Sequence, residues 1–85
     1  MIAQFNMTID DFLSLSPDQK AFLLMYKGDL PDNADNIKHY YRLYFYKKFY
    51  FEEVIDRATE TVIETNAVQK FAHFKKYLLA IRAKN

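Results

Sequence analysis

Hydrophobic residues near the amino terminus follow the spacing of a short helix. Ile9, Phe12 and Leu13 recur at helical intervals directly after Thr8, a residue type that caps helix amino termini well. We therefore predict a first helix that begins after Thr8 and ends near Ser14.

A second helix is predicted over Pro17–Lys27. Ser16 and Gln19 have the spacing of a capping box, and a proline suits the first helical position. Gly28, the only glycine, stands where a helix commonly ends in a residue with positive φ. Because residues 21–26 are apolar all round this helix, we expect its own domain or a partner to enclose it on several sides.

The aromatic centre of the chain favours β-strands. Tyrosine, phenylalanine and β-branched residues dominate it, and part of it alternates between two faces. After a turn-rich loop over residues 29–36 we place strands at Lys38–Tyr46, Phe49–Ile55 and Thr61–Val68. The alternative is an all-α helical bundle in which residues 34–66 are mostly helix.

The turn between the first two predicted strands leaves their register open. Lys47 and Lys48 fill it, although tight two-residue hairpin turns favour glycine and asparagine. A two-residue turn would pair Tyr46 with Phe49, and a three-residue turn would pair Tyr46 with Tyr50. We favour the longer turn, because it aligns the apolar faces of the two strands.

A carboxy-terminal helix is predicted over Gln69–Ala83. Phe71, Phe74, Leu78 and Ile81 form one apolar stripe at helical spacing, which we assign to the core. The predicted fold class is therefore α+β, with two short amino-terminal helices, a three-stranded antiparallel meander and a carboxy-terminal helix.

Length and composition limit the classes of protein. Eighty-five residues are enough for one small globular domain, residues 1–85. The absence of cysteine excludes disulfides and thiol catalysis, and a single glycine excludes a glycine-rich phosphate loop. The amino terminus lacks the basic residues and the apolar run of a signal peptide, and the longest apolar run is too short to span a membrane. We expect a cytoplasmic protein with no membrane partner.

Charge is arranged in blocks although the net charge is only +1. Acidic residues outnumber basic ones in residues 1–36 and 52–66, whereas residues 37–51 and 67–85 contain basic residues and no acidic ones. We interpret this alternation as internal complementarity, in which each block faces its opposite in the fold. The alternative is a bipolar surface whose basic part combines the second and fourth blocks.

The sequence offers little material for catalysis. His39 and His73 are the only histidines and lie in different predicted elements, without the spacing of metal ligands. Glu52 and Glu53 are adjacent, so in a strand they point to opposite faces and form no acid/base pair. Glu53 interrupts the alternation, and we expect it to lie at an edge and reach water. We predict no enzyme, no catalytic residue, no metal and no cofactor.

Aromatic and basic residues are interleaved around the first predicted hairpin. Because tyrosine and arginine are enriched in protein interfaces, we predict a non-enzymatic interaction module that binds a protein partner or forms a homo-oligomer. The alternative is a weak single-stranded nucleic-acid-binding protein, in which tyrosines stack on bases and basic groups contact phosphates. The predicted interaction surface consists of Tyr40, Arg42, Tyr44, Tyr46, Lys47, Lys48 and Tyr50.

Short motifs carry a resemblance to known sequences. The stretches Met7–Phe12, Tyr41–Tyr44, Phe49–Glu52 and Lys76–Leu78 resemble segments of a group of short, uncharacterised bacterial proteins. The resemblance implies two helices, an antiparallel meander and a last helix, and it implies no activity, ligand or catalytic residue. This chain departs from the group at the hairpin, where two lysines replace glycine or a small polar residue.

Overall fold

Three helices and a four-stranded antiparallel sheet form the part of the chain that the computed structural model describes, residues 8–31 and 37–83. The strands lie in the order β1-β2-β3-β4. The α+β class is confirmed, and the all-α alternative is wrong. The predicted loop over residues 29–36 lies partly outside the described residues. The elements are α1 Ile9–Leu13, α2 Pro17–Leu23, β1 Leu24–Gly28, β2 His39–Tyr46, β3 Phe49–Asp56, β4 Thr61–Val68 and α3 Phe71–Ala83.

The second predicted helix is wrong in its last turn, which instead forms β1. Strand β1 pairs antiparallel with β2, and Tyr26 lies opposite Leu43. This pairing buries Tyr26 and gives its backbone cross-strand partners, which overrides the local preference for a helix. The apolar run is also not enclosed on several sides, because Phe22 is 91% exposed. The meander therefore has four strands rather than three.

Both predicted caps are confirmed, and each forms a full capping box. The Ser16 hydroxyl accepts a hydrogen bond from the Gln19 backbone N–H at 3.2 Å, and the Gln19 side chain accepts from the Ser16 N–H at 2.8 Å. Thr8 and Asp11 repeat this arrangement at the start of α1. These reciprocal bonds allow helices as short as α1 and α2 to form, because they satisfy amide groups that helix starts leave unpaired.

Helices cover both faces of the sheet, so the core has two parts. On one face, hereafter the α3 face, Tyr77 and Ala80 of α3 pack against sheet residues that include Tyr41, Leu43 and Val54. On the other, hereafter the α2 face, the buried cluster contains Phe12 from α1 with Tyr44 and Phe51 from the sheet. The sheet is therefore the middle layer of the described fold.

The apolar stripe predicted for the last helix is rotated in the structure. Phe74 and Ile81 pack against the core as expected, but Phe71 is 69% exposed. Tyr77, which the stripe omits, is fully buried, and its hydroxyl donates a hydrogen bond to Glu52 at 2.6 Å. The buried glutamate explains the difference, because it provides an acceptor for a tyrosine that hydropathy alone leaves outside the core.

The β2–β3 hairpin has a two-residue turn, so the predicted longer turn is wrong. Tyr46 lies opposite Phe49, and Lys47 and Lys48 occupy the turn with φ of 47° and 73°. A tight two-residue turn whose twist matches that of the flanking strands requires positive φ at both positions. The eight continuous residue pairs of β2 and β3 hold the turn in a conformation that lysine disfavours.

Replacing the turn by Asn-Gly is expected to stabilise the protein. Asparagine and glycine adopt left-handed conformations at a lower energetic cost than lysine. The combined change Lys47→Asn and Lys48→Gly is therefore expected to raise the free energy of unfolding by about 1 kcal/mol. Chemical denaturation measures the difference. The control, Lys47→Ala with Lys48→Ala, removes the same charges but keeps both β-carbons, and equal stability of the two double variants would contradict this explanation.

Candidate functional site

Two adjacent buried carboxylates mark the centre of the sheet. Glu52 and Glu53 of β3 are each 3% exposed, and cross-strand pairing places them on opposite faces. The divergence of their side chains is as predicted. The expectation that Glu53 lies at an edge and reaches water is wrong, because β3 is an interior strand. Each carboxylate has its own set of hydrogen-bond donors.

On the α2 face, Glu53 joins a helix to the sheet. Its carboxylate lies 3.4 Å from Lys20 Nζ of α2 and 3.0 Å from Arg42 Nη2 of β2. The Tyr44 hydroxyl donates a third hydrogen bond at 2.7 Å, and burial together with this bond raises the pKa of Tyr44 well above its ordinary value. Arg42 was predicted as a surface residue from the sequence, whereas Lys20, which is separated from Glu53 by 33 residues, was not.

An open groove of about 350 Å³ lies beside these charges, and we call it the basic groove. All four strands contribute to it, so it runs across the strand direction, with α2 along one side. Its charged lining residues are Lys20, Lys27, Arg42 and Glu53. Leu24 and Val62, which are 40% and 43% exposed, add apolar surface. The groove therefore combines cationic and apolar contacts.

On the α3 face, Glu52 of β3 contacts side chains of both α3 and β4. It accepts hydrogen bonds from the Tyr77 hydroxyl at 2.6 Å and from Asn66 Nδ2 at 2.9 Å, and His73 Nε2 lies 2.8 Å away. No carboxylate lies near His73 along the chain, so sequence spacing does not reveal this contact. Burial of Tyr77 and its bond to Glu52 raise the pKa of that tyrosine far above its ordinary value.

A second cleft of about 270 Å³ opens beside Glu52. His39, His73, Glu64 and Lys76 line it together with Glu52. Within residues 8–31 and 37–83, no three histidine, aspartate or glutamate side chains lie close enough to hold a metal ion. The donors around Glu52 instead fix the carboxylate in place and connect three elements of the fold.

The buried tyrosines predict a loss of stability at alkaline pH. The pKa values of Tyr77 and Tyr44 are higher in the folded than in the unfolded state. Both tyrosines therefore stabilise the fold fully below about pH 10, where their hydroxyls are neutral in both states. This stabilisation is lost as the pH rises further. We expect the free energy of unfolding to fall as the pH rises above about 10. Tyr77→Phe should reduce that slope. An unchanged slope in urea denaturation series would contradict the assignment.

The seven residues of the predicted interaction surface do not form one exposed patch. Tyr44 is 4% exposed and belongs to the core, so its placement at a surface is wrong. Tyr50 lies on the α3 face, because it pairs with Phe45 and packs against Phe74. Tyr40, Arg42 and Tyr46 share the α2 face, and Lys47 and Lys48 lie exposed at the hairpin turn.

The tyrosines of the α2 face already make internal contacts. Cations of Lys27 and Arg57 lie over the ring of Tyr40, whose hydroxyl donates to Glu60 at 2.5 Å. Tyr46 packs against the cluster around Phe12. These contacts use the ring surfaces on which bases would stack in a single-strand binder.

The alternating charge blocks pair internally in part. Arg42 from the second block contacts Glu53 from the third, and His73 from the fourth block lies 2.8 Å from Glu52 of the third. By contrast, Lys20 pairs with Glu53 and Arg57 pairs with Asp29, although all four residues belong to predominantly acidic blocks. Complementarity between opposite blocks therefore accounts for only part of the ion pairing in the described regions.

The outer edge of β4 is a further candidate for binding. Among the strands of the described chain, β4 is last in the sheet and pairs only with β3. Its residues 61–64 are exposed, and Glu64 is the only charged residue in the strand. The register shifts opposite Val54 and Ile55, so Ile63 has no direct partner on β3. An edge of this length presents backbone donors and acceptors to a further strand.

Comparisons with known proteins give no assignment: no family model, no curated protein and no solved structure matches the chain. The resemblance to the group of short bacterial proteins therefore stays a prediction. No helix among the described residues is both long enough and apolar enough to cross a membrane.

Proposed function

We propose that this protein is a non-enzymatic interaction module that binds a second copy of itself along the outer edge of β4. The observation that carries the proposal is the edge strand Thr61–Val68, whose first four residues are exposed and which contains one charged residue and no proline. Soluble proteins commonly protect such edges with several charges, prolines or a covering segment, because unpaired backbone groups recruit other strands.

The side chains of β4 favour self-pairing in one register. In an antiparallel pair centred on Thr65, Glu64 faces Asn66 of the second copy. The same two side chains already bond within the chain, where Asn66 Nδ2 donates to Glu64 at 2.6 Å. A register centred on Glu64 would instead place two carboxylates opposite each other, which is unfavourable. The pattern of charge therefore favours the register centred on Thr65 over the register centred on Glu64.

The expected dimer is weak. Pairing through an edge strand buries backbone and a few side chains, of which Val62 and Ile63 are 43% and 51% exposed before association. Interfaces below about 1,200 Å² of total buried surface belong to transient complexes. We therefore expect a dimer that dissociates on dilution, held by main-chain hydrogen bonds and by the burial of these two side chains.

Sedimentation velocity over a range of protein concentrations tests the proposal. The natural protein should shift from monomer to dimer as concentration rises, and Ile63→Lys should suppress the shift by placing a charge at the edge. Ile37→Lys is the matched control, because Ile37 lies outside the sheet and is 86% exposed. A protein that stays monomeric throughout, or equal effects of both variants with unchanged circular dichroism, would overturn the proposal.

A further inference from the structure

We infer that the end of the sheet next to the β2–β3 turn binds single-stranded nucleic acid on the α3 face. This inference does not depend on self-association through β4. It rests on the second and fourth charge blocks, which are basic and meet at this end of the described fold. Two exposed rings and four exposed lysines form this surface, which we call the hairpin-end surface: Phe45, Phe71, Lys47, Lys48, Lys70 and Lys75.

Strand pairing brings the two basic blocks together. Tyr50 of β3 lies opposite Phe45 of β2 and opposite Val68 of β4, so these three residues form one row across the sheet. Neighbouring strands lie about 4.8 Å apart, and the row therefore spans about 10 Å. Along the chain, each member of the row is two residues from a lysine in the direction of the hairpin turn: Lys47, Lys48 and Lys70. The three lysines are thus grouped at one end of the sheet.

The first turn of α3 adds a second exposed ring and a fourth lysine. The Tyr50 ring lies 5.0 Å from that of Phe45 and 4.4 Å from that of Phe74, which places the start of α3 beside the row. Phe71 precedes Phe74 by about one helical turn, and Lys75 follows Phe71 at the i,i+4 spacing that makes helix residues neighbours. Phe45 and Phe71 are 40% and 69% exposed, so two rings of this surface face solvent.

No carboxylate among the described residues neutralises the four lysines. Lys48, Lys70 and Lys75 form no ion pair within residues 8–31 and 37–83. Lys47 lies 5.4 Å from the centre of the Tyr46 ring, which is an uncharged partner. The segments that form the surface, residues 37–51 and 67–85, contain no acidic residue. The cations of the basic groove, by contrast, already have partners within the fold. The hairpin-end surface is therefore the one that suits a polyanion.

The exposed rings offer surfaces on which bases can stack. Phe71 has no ring or cation contact with any other described residue, whereas Tyr40 on the α2 face is covered by two cations. Every base presents a flat π-face to an aromatic ring, so stacking needs no particular sequence. Bases inside a duplex are stacked on one another, and the expected ligand is therefore a single strand.

The type of cation favours a phosphate backbone over a protein partner. All four basic residues of the hairpin-end surface are lysines. Lysine is depleted from protein interfaces, in which arginine is enriched. A nucleic-acid backbone instead presents a continuous run of negative charges, which lysine contacts as a point charge. An acidic protein segment is therefore the less suitable ligand and serves as the comparison in the test.

Fluorescence anisotropy with three labelled probes of about ten units each tests the inference: oligothymidylate, an abasic phosphodiester chain and oligoglutamate. Oligothymidylate should bind at least about fivefold more tightly than the abasic chain, because only its bases can stack. Its affinity should fall steeply as salt rises from about 50 to about 200 mM. Equal or tighter binding of oligoglutamate would overturn the inference in favour of an acidic protein partner. Equal binding of the abasic chain, or no binding of oligothymidylate, would also overturn it.

Two matched pairs of variants locate the binding. Phe71→Ala should weaken oligothymidylate binding at least about fivefold without changing its salt dependence, whereas Phe22→Ala, at an exposed phenylalanine of α2, should not weaken it. Lys48→Gln should reduce the slope of log affinity against log salt by about 0.7, whereas Lys38→Gln, at the opposite end of β2, should leave it unchanged. All four side chains are exposed, so the variants are expected to fold. Equal effects within either pair would overturn the inference.

Discussion

Glu53→Ala is expected to lower the free energy of unfolding by about 3–5 kcal/mol, because it leaves two cations near a buried site without their shared carboxylate. Lys20 and Arg42 contact Glu53 at 3.4 and 3.0 Å, and the Tyr44 hydroxyl also loses its acceptor. A loss of this size is a large fraction of the stability of a small domain. Urea denaturation of the purified variant measures it.

Two further variants separate the buried charge from other causes. Glu64→Ala makes the same change at an exposed position of β4 and should alter stability by less than about 0.5 kcal/mol. Changing Lys20 and Arg42 to methionine together with Glu53→Leu should recover part of the loss, because no uncompensated charge then remains, although the Tyr44 hydroxyl still lacks Glu53 as its acceptor. If Glu53→Ala matched Glu64→Ala, the charge cluster would have no role in joining α2 to the sheet.

Phe12→Ala is expected to lower the free energy of unfolding by about 3–5 kcal/mol, although Phe12 belongs to a helix of five residues. Phe12 is fully buried, and its ring lies 4.9 Å from that of Phe51 and 5.0 Å from that of Tyr44. It is the buried side chain through which α1 packs on the sheet. Its loss should leave a cavity on the α2 face and release α1.

Phe22→Ala is the matched control for this prediction. Phe22 is 91% exposed, so the same chemical change should leave stability within about 0.5 kcal/mol of that of the natural protein. Thermal denaturation and hydrogen exchange of the α1 amides report the two effects. A Phe12→Ala protein as stable as the control would show that α1 does not contribute to the core.

The strands that sequence analysis located correctly have strong local signals. The predicted bounds of β4, Thr61–Val68, agree with the structure, and those of β2 and β3 differ by one residue. These segments combine β-branched and aromatic residues with bounding turns, so that composition and alternation indicate the same element. The capped starts of α1 and α2 were predictable for a similar reason, because a capping box is entirely local.

Strand β1 and the hairpin register depend on contacts between distant residues. The apolar run over residues 21–26 suits a helix as well as a strand, and only pairing with β2 decides where the helix ends. The turn at Lys47 and Lys48 contains neither glycine nor asparagine, so local sequence points away from the tight turn that the long β2–β3 ladder imposes. In both cases tertiary structure overrides local preference.

The candidate site was predictable only in part. Arg42 was identified, but its partner Glu53 was placed at an edge because a carboxylate in an interior strand is unusual. The available signal was the position of Glu52 and Glu53 inside the otherwise apolar run Phe49–Ile55. Two adjacent charged residues in such a strand are buried on opposite faces of the sheet, and each needs a polar partner on its own face. The identity of the partners follows from topology, which brings together residues from α2, β2, β4 and α3.

A scan of single cysteines along β4 is the most direct test of self-association through this edge. The natural chain contains no cysteine, so each variant introduces one thiol. In the register centred on Thr65, the two copies of residue 65 lie opposite each other, within the distance that a disulfide requires. Under mild oxidation Thr65→Cys should form dimers faster than Thr61→Cys and Ala67→Cys. Equal, slow cross-linking at all three positions would contradict the account.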